Sequence, residues 1–413
     1  MNYQIKKSVF VITIALALSL ISFTQAATYG GGSGTAEDPY QIWTPQEMNT
    51  IGLNSGDWGS HFKLMTDIDM SIYTGTQYKI IGNSTTYFTG TFDGNGHVIR
   101  NLTYTTTEAV NYVGVFGYAS NAIIKNLAIE NVNLSAKASY SGELYYIGGL
   151  VGYQSYSTIT NCYITGSVTF SSPSSFSFAG GLAGYQYFGT ISNCYNTGSV
   201  TASSSSSSPS SAAQAGGLVG QLAYGILTNC YNAGSVAALT PLSEAGGLVA
   251  QEMFATIINC YNTGLVTASS PSSSHSCAGG LVGYPWYGTI TSSYSTGVVT
   301  SSSSSYDIGG LAGYNPQSTM NGCFWDTQNS GLSNGVGRGD SSGAAGKTTI
   351  EMKTLSTFTL ADWDFIETWS IEDNQTYPFL KLTYPTGDID LNKQVDLLDL
   401  VLLSKHWLEG TGI

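Results

Sequence analysis

Charge is what this sequence has least of. Lys, Arg, Asp and Glu make up only 9% of 413 residues, 13 basic against 26 acidic, and the formal net charge is −13. Between Ala138 and Gly337 there is no Lys or Arg, and the only acidic residues are Glu143, Glu244, Glu252, Asp307 and Asp326. A chain so poor in basic residues has no surface that would release counterions from phosphates, which excludes a nucleic-acid partner. Disorder of the highly charged kind is excluded too, because aromatic residues reach 12%. Long apolar runs are also missing, with one exception. Lys6 and Lys7 precede an apolar stretch from Val9 to Phe23, and Thr24-Gln25-Ala26 offers small residues for cleavage. That stretch falls short of the about 20 residues a spanning helix needs, so residues 1–26 read as a secretory signal, an uncleaved anchor being the alternative. The mature protein is then expected to be secreted or held at the cell surface, without a transmembrane span.

What is abundant is glycine, 50 residues, and tyrosine, 28. Gly-Gly pairs begin at Gly148, Gly180, Gly216, Gly246, Gly279 and Gly309, at spacings of 32, 36, 30, 33 and 30. From the first Gly to a Cys or Ser is fourteen residues in all six copies, ending on Cys162, Cys194, Cys230, Cys260, Ser293 and Cys323. Length varies only in the Ser-rich tails, such as 170–179 and 202–215. A constant core with a variable tail is the mark of a solenoid, whose stacked strands tolerate no slip while loops on one edge do. Each core holds three short strand-like pieces: 181–185, 190–195 and 199–201 in the second unit. These leave no room for helices and predict one coil of an all-β, right-handed parallel β-helix. Blades of a β-propeller need about 40 residues, so these units are too short for that rival. Leu150, Leu182, Leu218, Leu248, Leu281 and Leu311 are expected to form an interior column, with the glycines at tight corners.

Six cysteines in an exported chain suggest disulfides. Five of them share one repeat position, however, and Ser293 takes it in the fifth unit, which suits a stacked ladder of small residues. Rungs about 4.8 Å apart would also permit bridges. Cys277 is expected in a loop as a free thiol. Tyr163, Tyr195, Tyr231, Tyr261 and Tyr294 share the next position and predict a tyrosine ladder, either packed at an edge or facing solvent and able to stack sugars.

Gly-Gly-Leu-Val-Gly at 148–152, 216–220 and 279–283, with Gly-Gly-Leu-Ala-Gly at 180–184 and 309–313, resembles the GLUG repeat. The fourth unit departs from it at Ala250. The resemblance covers 148–323 and extends upstream to Val113-Gly114-Val115-Phe116-Gly117. It implies an exported bacterial surface protein, since such repeats also form stalks of some IgA-cleaving metallopeptidases. Without an HExxH motif anywhere in the sequence, that activity is not expected here.

Outside the array, Thr44-Pro45-Gln46-Glu47 is a capping box that predicts a short helix to about Leu53. Residues 88–99 read as strand, Gly-Asn-Gly turn, strand. Thr348-Thr349-Ile350-Glu351 is a second capping box, and Trp325, Trp363 and Trp369 predict a small aromatic core that closes the solenoid, ended by Tyr377 to Leu380. The organisation expected is a signal at 1–26, an N-terminal capping region with first coils at 27–110, the repeat helix at 111–323, a C-terminal cap at 324–385 and a calcium-loop segment at 386–413.

That last segment carries the sharpest chemistry. From Asp388 to Asp399, oxygen-bearing side chains fall at loop positions 1, 3, 5, 9 and 12, supplied by Asp388, Asp390, Asn392, Asp396 and Asp399. Gln394 would add a backbone carbonyl. Such a twelve-residue loop wraps hard oxygens around one calcium ion. The segment resembles one half of a type I dockerin, which implies calcium binding and a cohesin-like partner on a scaffold or cell surface. Lys393 stands where the family has Gly, and a single loop–helix unit precedes Ile413. The bland alternative is an acidic helix cap formed by Asp396 and Asp399.

No paired carboxylates or base-and-cation arrangement occurs along the repeats, so the sequence predicts a protein without catalytic activity, used for adhesion or binding, with a glycan as the ligand class. The alternative is a polysaccharide lyase or hydrolase recruited to an extracellular assembly. Its candidate residues are Asp67, Asp69, Asp93 and His97 in the N-terminal flank.

Overall fold

The computed structural model describes residues 29–381, apart from 109, 138–143, 173–176, 205–211, 241, 270–274 and 303–304. Over these residues the chain winds into a parallel β-solenoid of about seven turns. Each coil has three faces. In the coil that carries Gly180 they are Ser177–Gly180, then Ala183–Tyr187, then Thr190–Ser192 with Tyr195–Asn196 and Ser199–Ser204. Every piece pairs in parallel with its counterpart in the next coil: Ser177 with Ala213, Ala183 with Val219, Thr190 with Ile226, Tyr195 with Tyr231 and Val200 with Val236.

Two expectations about the coil are corrected. An extra strand precedes each Gly-Gly pair, and the piece expected at 190–195 is broken at Asn193. The reason for the break is a left-handed residue. Asn161, Asn193, Asn229 and Asn259 all have φ of 52–53°, a region Asn enters more cheaply than most side chains. The turn it makes sends the following Cys inward and the Tyr outward, which explains why Asn-Cys-Tyr recurs as a unit.

The leucine column lies fully inside, as the repeat predicts. Ile159, Ile191, Leu227, Ile257, Ile290 and Met320 fill the third face from within. Burying each such side chain is worth about 1.5–3 kcal/mol, and stacking makes the gain continuous along the axis. Between the first and second faces the chain bends so sharply that no side chain fits. A Cβ on Gly180 would lie 2.8 Å from Gly220 N and closer still to Ala183 O. Here the Gly requirement is steric rather than conformational.

All six cysteines are buried and none forms a disulfide. Cys194 accepts a hydrogen bond from Cys162 N–H (3.3 Å) and donates to Ser192 O (3.1 Å). Ser293 does the same, accepting from Cys260 N–H (3.1 Å) and donating to Thr291 O (2.8 Å). The position needs a small group that relays one hydrogen bond between coils, and a thiol or a hydroxyl serves. Beside it runs a buried asparagine ladder in which Asn196 donates to Asn232, and Asn232 to Asn262, each at 2.9 Å.

At the N-terminal end the first coil begins at Tyr40–Ile42, paired with His61–Leu64. Helix α1 (Pro45–Ile51) starts on the predicted capping box, with Glu47 N–H donating to Thr44 Oγ1 and Thr44 N–H to Glu47 Oε2. Its Met48 and Ile51 join the solenoid core. The hairpin expected at 88–99 does not form. Thr91–Asp93 and Val98–Arg100 each pair in parallel with the strand Ile123–Lys137, so they are successive pieces of one coil.

At the other end the three tryptophans separate. Trp325 belongs to the solenoid core and lies against Gly310 and Gly335. Trp363 and Trp369 join Met352, Phe358 and Leu380 in a second cluster that includes Tyr294 and Phe324. The cap thus rests against the outside of the third face. Its first turn uses the predicted second capping box, Glu351 N–H donating to Thr348 Oγ1 and Thr348 N–H to Glu351 Oε2, and helix α2 (Leu355–Thr359) follows.

Candidate functional site

Two outward positions of the repeat face each other across the bend between the first and second faces. One lies two residues before the first Gly, the other five residues after it. Paired register makes each a column: Tyr112, Tyr146, Phe178, Gln214, Glu244, Cys277 and Asp307 on the first face, and Tyr118, Tyr153, Tyr185, Gln221, Gln251 and Tyr284 on the second. In the early coils both columns are aromatic and close on each other. Tyr146 meets Tyr153 and Tyr185 edge-on, with ring centroids 5.3 Å apart in both cases.

Where the columns change to amides and a carboxyl, the walls no longer touch and a groove of about 510 Å³ opens. Its size is that of small-molecule binding sites. Phe178 bounds one end, with Tyr146 stacked behind it at 5.1 Å. Tyr284 bounds the other, with Tyr314 stacked behind it at 5.5 Å. Tyr284 lines one end of the groove, while Phe178, only 5% exposed and met edge-on by Tyr185 at 6.2 Å, closes the other. Gln214, Gln221, Glu244 and Gln251 form the floor, and Gln221 donates to Gln251 Oε1.

Glu244 keeps some contact with solvent through the groove mouth, while the walls desolvate it. Desolvation pushes its carboxyl up to about 7, and the hydrogen bond from Gln214 Nε2 (2.6 Å) acts in the opposite sense. Cys277, expected in a loop, sits instead in the strand His275–Gly279 on the groove floor. Burial raises its thiol well above the usual range, with Glu244 and Asp307 adding to the effect. A thiol held protonated is a poor nucleophile. One rung further, Asp307 pairs with Arg338 Nε at 2.9 Å, and the Arg338 guanidinium lies 3.9 Å over the Tyr314 ring.

The tyrosine ladder exists, but its rings are unsuited to sugar stacking. Tyr163, Tyr195, Tyr231, Tyr261 and Tyr294 stack at 4.7–5.1 Å within 7° of parallel. Each ring covers its neighbour's face, so mainly edges point outward. The last two are covered further by the C-terminal cap, and Tyr294 Oη donates to Pro378 O at 2.5 Å. A second ladder runs along another corner through Tyr156, Phe188, Tyr224, Phe254 and Tyr287, all left-handed with φ of 51–59° and stacked at 4.9–5.3 Å. Tyr156, Tyr224, Phe254 and Tyr287 of this ladder are exposed.

The N-terminal acidic candidates do not converge on one site. Asp67 meets His97 Nδ1 (3.3 Å) and Arg100 (2.5 Å), and Asp69 caps Ser71 N–H and accepts from Asn101. Asp93 is taken by Asn95 N–H, Asn126 and Lys125. The calcium-loop residues Asp388, Asp390, Asn392, Gln394, Asp396 and Asp399 lie outside the described residues, as does the 1–26 signal. The groove was missed in the sequence because its columns do not repeat. A signal was present all the same: in a fixed register, the positions two before and five after the Gly vary in kind from coil to coil.

The GLUG motif family model matches residues 143–169, 179–201, 211–237 and 274–300. A protein of Evansella cellulosilytica named as a Gly-rich membrane protein is 31% identical over 140 residues, covering 33% of this chain and 15% of that protein. Halomucin of Haloquadratum walsbyi is 32% identical over 145 residues, 33% of this chain and 2% of its own length. The chain therefore spans only a small fraction of these relatives. Among solved structures, a Bacteroides ovatus protein named as an immunoglobulin A1 protease aligns with a TM-score of 0.51 at 19% identity, covering 86% of this chain and 96% of that one. Another, named IgA1 Protease, aligns with a TM-score of 0.52 at 16% identity, covering 83% of this chain and 25% of that one. These likenesses concern the fold.

They also overturn the expectation that the chain is not an enzyme, because the solenoid occurs in proteins named as proteases. The physical reason is that a fold does not determine activity. An uncharged repeat surface describes most of the coils, whereas a site needs only a few residues on one or two of them. Among the described residues no helix is long and apolar enough to cross a membrane.

Proposed function

We propose that this chain is a binding segment of an extracellular or cell-surface protein, and that its groove takes a glycan. The observation that carries this reading is the interruption of the aromatic columns. The half-buried Tyr284 lines a space that the buried Phe178 closes at its other end, and whose floor is made of amides and one carboxyl. Pyranose rings offer apolar faces that lie against aromatic ones, and hydroxyls that pair with side-chain amides. Three rungs separate the two rings, about 14 Å at the usual strand spacing, enough for a short run of sugar units. The relatives named halomucin and Gly-rich membrane protein support placement at a surface.

The attachment reading extends this. The loop formed by Asp388, Asp390, Asn392, Gln394, Asp396 and Asp399 would hold calcium and dock the chain onto a cohesin-like module or other surface component. The test is titration of the intact protein with a panel of neutral oligosaccharides, with calcium and with chelator. Binding is expected to survive chelation and to weaken at least tenfold in Tyr284→Ala or Gln251→Ala. No binding by any member of the panel, or binding unaffected by both substitutions, rejects the groove. Unchanged calcium affinity in Asp388→Ala/Asp390→Ala rejects the loop.

A further inference from the structure

Among the described residues that line it, the groove has one carboxyl, Glu244, and no Lys or Arg. Among the described residues the Glu244 carboxylate accepts from Gln214 Nε2, and the Gln214 carbonyl oxygen is buried without a partner. Across it stand Gln251 and Tyr284 from the second face, the Cys277 thiol on the next rung and Asp307 two rungs on. The nearest coils contain no Lys or Arg, since none occurs from 138 to 337. Arg338 is engaged by Asp307 and by the Tyr314 ring. Among the described residues Glu244 forms no ion pair.

A carboxyl half-withdrawn from water is costly when ionised alone and is stabilised by any cation that enters with a ligand. Aromatic rings lining the same space attract cations as well. We propose that the groove selects a sugar bearing a free primary ammonium group, a hexosamine unit whose nitrogen pairs with Glu244 while Gln221 and Gln251 meet its hydroxyls. This rests on the glycan-binding reading of the groove and adds the chemical class of the sugar. An N-acetylated unit brings no charge and leaves Glu244 unmatched.

The experiment is calorimetric titration of the intact protein with oligomers of glucosamine, N-acetylglucosamine and glucose of equal length, and with a lysine-rich peptide. Salt of about 0.3 M screens the overall net charge, because the Debye length is then well under 10 Å. The wild type is expected to bind the glucosamine oligomer at least tenfold tighter than the other three ligands. Glu244→Gln, which keeps the shape and the acceptor for Gln214, should erase that preference. Affinity for the glucosamine oligomer should also fall as pH drops through about 7, where Glu244 takes up a proton. Equal affinity for all three sugars, or a preference that survives Glu244→Gln, overturns the inference while leaving glycan binding intact. If no sugar binds, the underlying reading fails instead. Tighter binding of the peptide would make the groove a site for a protein cation and overturn the sugar.

Discussion

At residue scale the molecule works by interchangeable relays. Cys194 and Ser293 perform one task with different atoms, accepting a backbone N–H from the coil before and donating to a carbonyl two residues back. Cys194→Ser is therefore expected to change stability by less than about 1 kcal/mol, whereas Cys194→Val leaves a buried N–H and should cost about 1–3 kcal/mol in denaturant unfolding. Glu252 is a different case. It lies inside the coil, accepts from Ala255 N–H (2.6 Å) and Ser318 Oγ (3.3 Å), and burial raises it to about 8. A carboxyl raised above its unfolded value contributes stability that is complete at low pH and lost as pH rises through the folded value. The melting temperature should accordingly fall between about pH 5 and pH 8, and Glu252→Gln should flatten that slope. A slope unchanged by the substitution would assign the pH dependence to other groups.

At the scale of the coil, the bend between the first and second faces is what couples sequence to site. The first Gly of each pair has backbone from two directions within contact of a missing Cβ, as at Gly180. The last Gly of the motif is less demanding, because Ala250 occupies it in the fourth unit and is fully buried there. Gly180→Ala is thus expected to destabilise by about 1–3 kcal/mol or more, and Gly184→Ala by clearly less, both read from unfolding midpoints. The groove follows from the same register. Gln214→Phe with Gln221→Tyr would restore the aromatic walls seen one coil earlier. That double variant should abolish ligand binding while leaving the melting temperature equal or higher. This much was readable in the repeat: fourteen residues from Gly to Cys fixed the register, and the leucine column followed. What could not be read was which outward columns face each other, because the angle between two faces comes from backbone packing at the glycines.

For the molecule as a whole, stability is a sum of neighbour contacts along an axis with separately built ends. The N-terminal end is closed by α1 and by Phe62, Phe88, Phe92 and Phe116, whose rings pack in sequence. The C-terminal cap is a separate aromatic cluster against Tyr261, Tyr294 and Phe324. Trp369→Ala should loosen that cap first and leave the early coils folded, so unfolding would split into two steps with the cap released to proteolysis ahead of the coils. A single unshifted transition would show instead that cap and coils unfold as one unit. Because the tyrosine ladder ends under the cap, fluorescence should report the first step.

The sequence by itself determined the solenoid, its register, the interior leucines and the cysteine ladder. Those depend on period and polarity, which are local properties repeated at fixed spacing. It determined also that Lys and Arg are absent from Ala138 to Gly337, and that pointed toward binding. It did not determine that such a coil lacks enzymatic use, since the fold is shared with proteins named as proteases. Tertiary structure decided the rest. It turned an apparent hairpin at 88–99 into two successive pieces of one coil, because parallel stacking on residues 123–137 gave those strands better partners than each other. It placed the ring faces of the tyrosine ladder against one another and set Tyr284 at the edge of the groove. Stacking covers a ring wherever the next rung repeats it, and the groove opens where the repeat is broken.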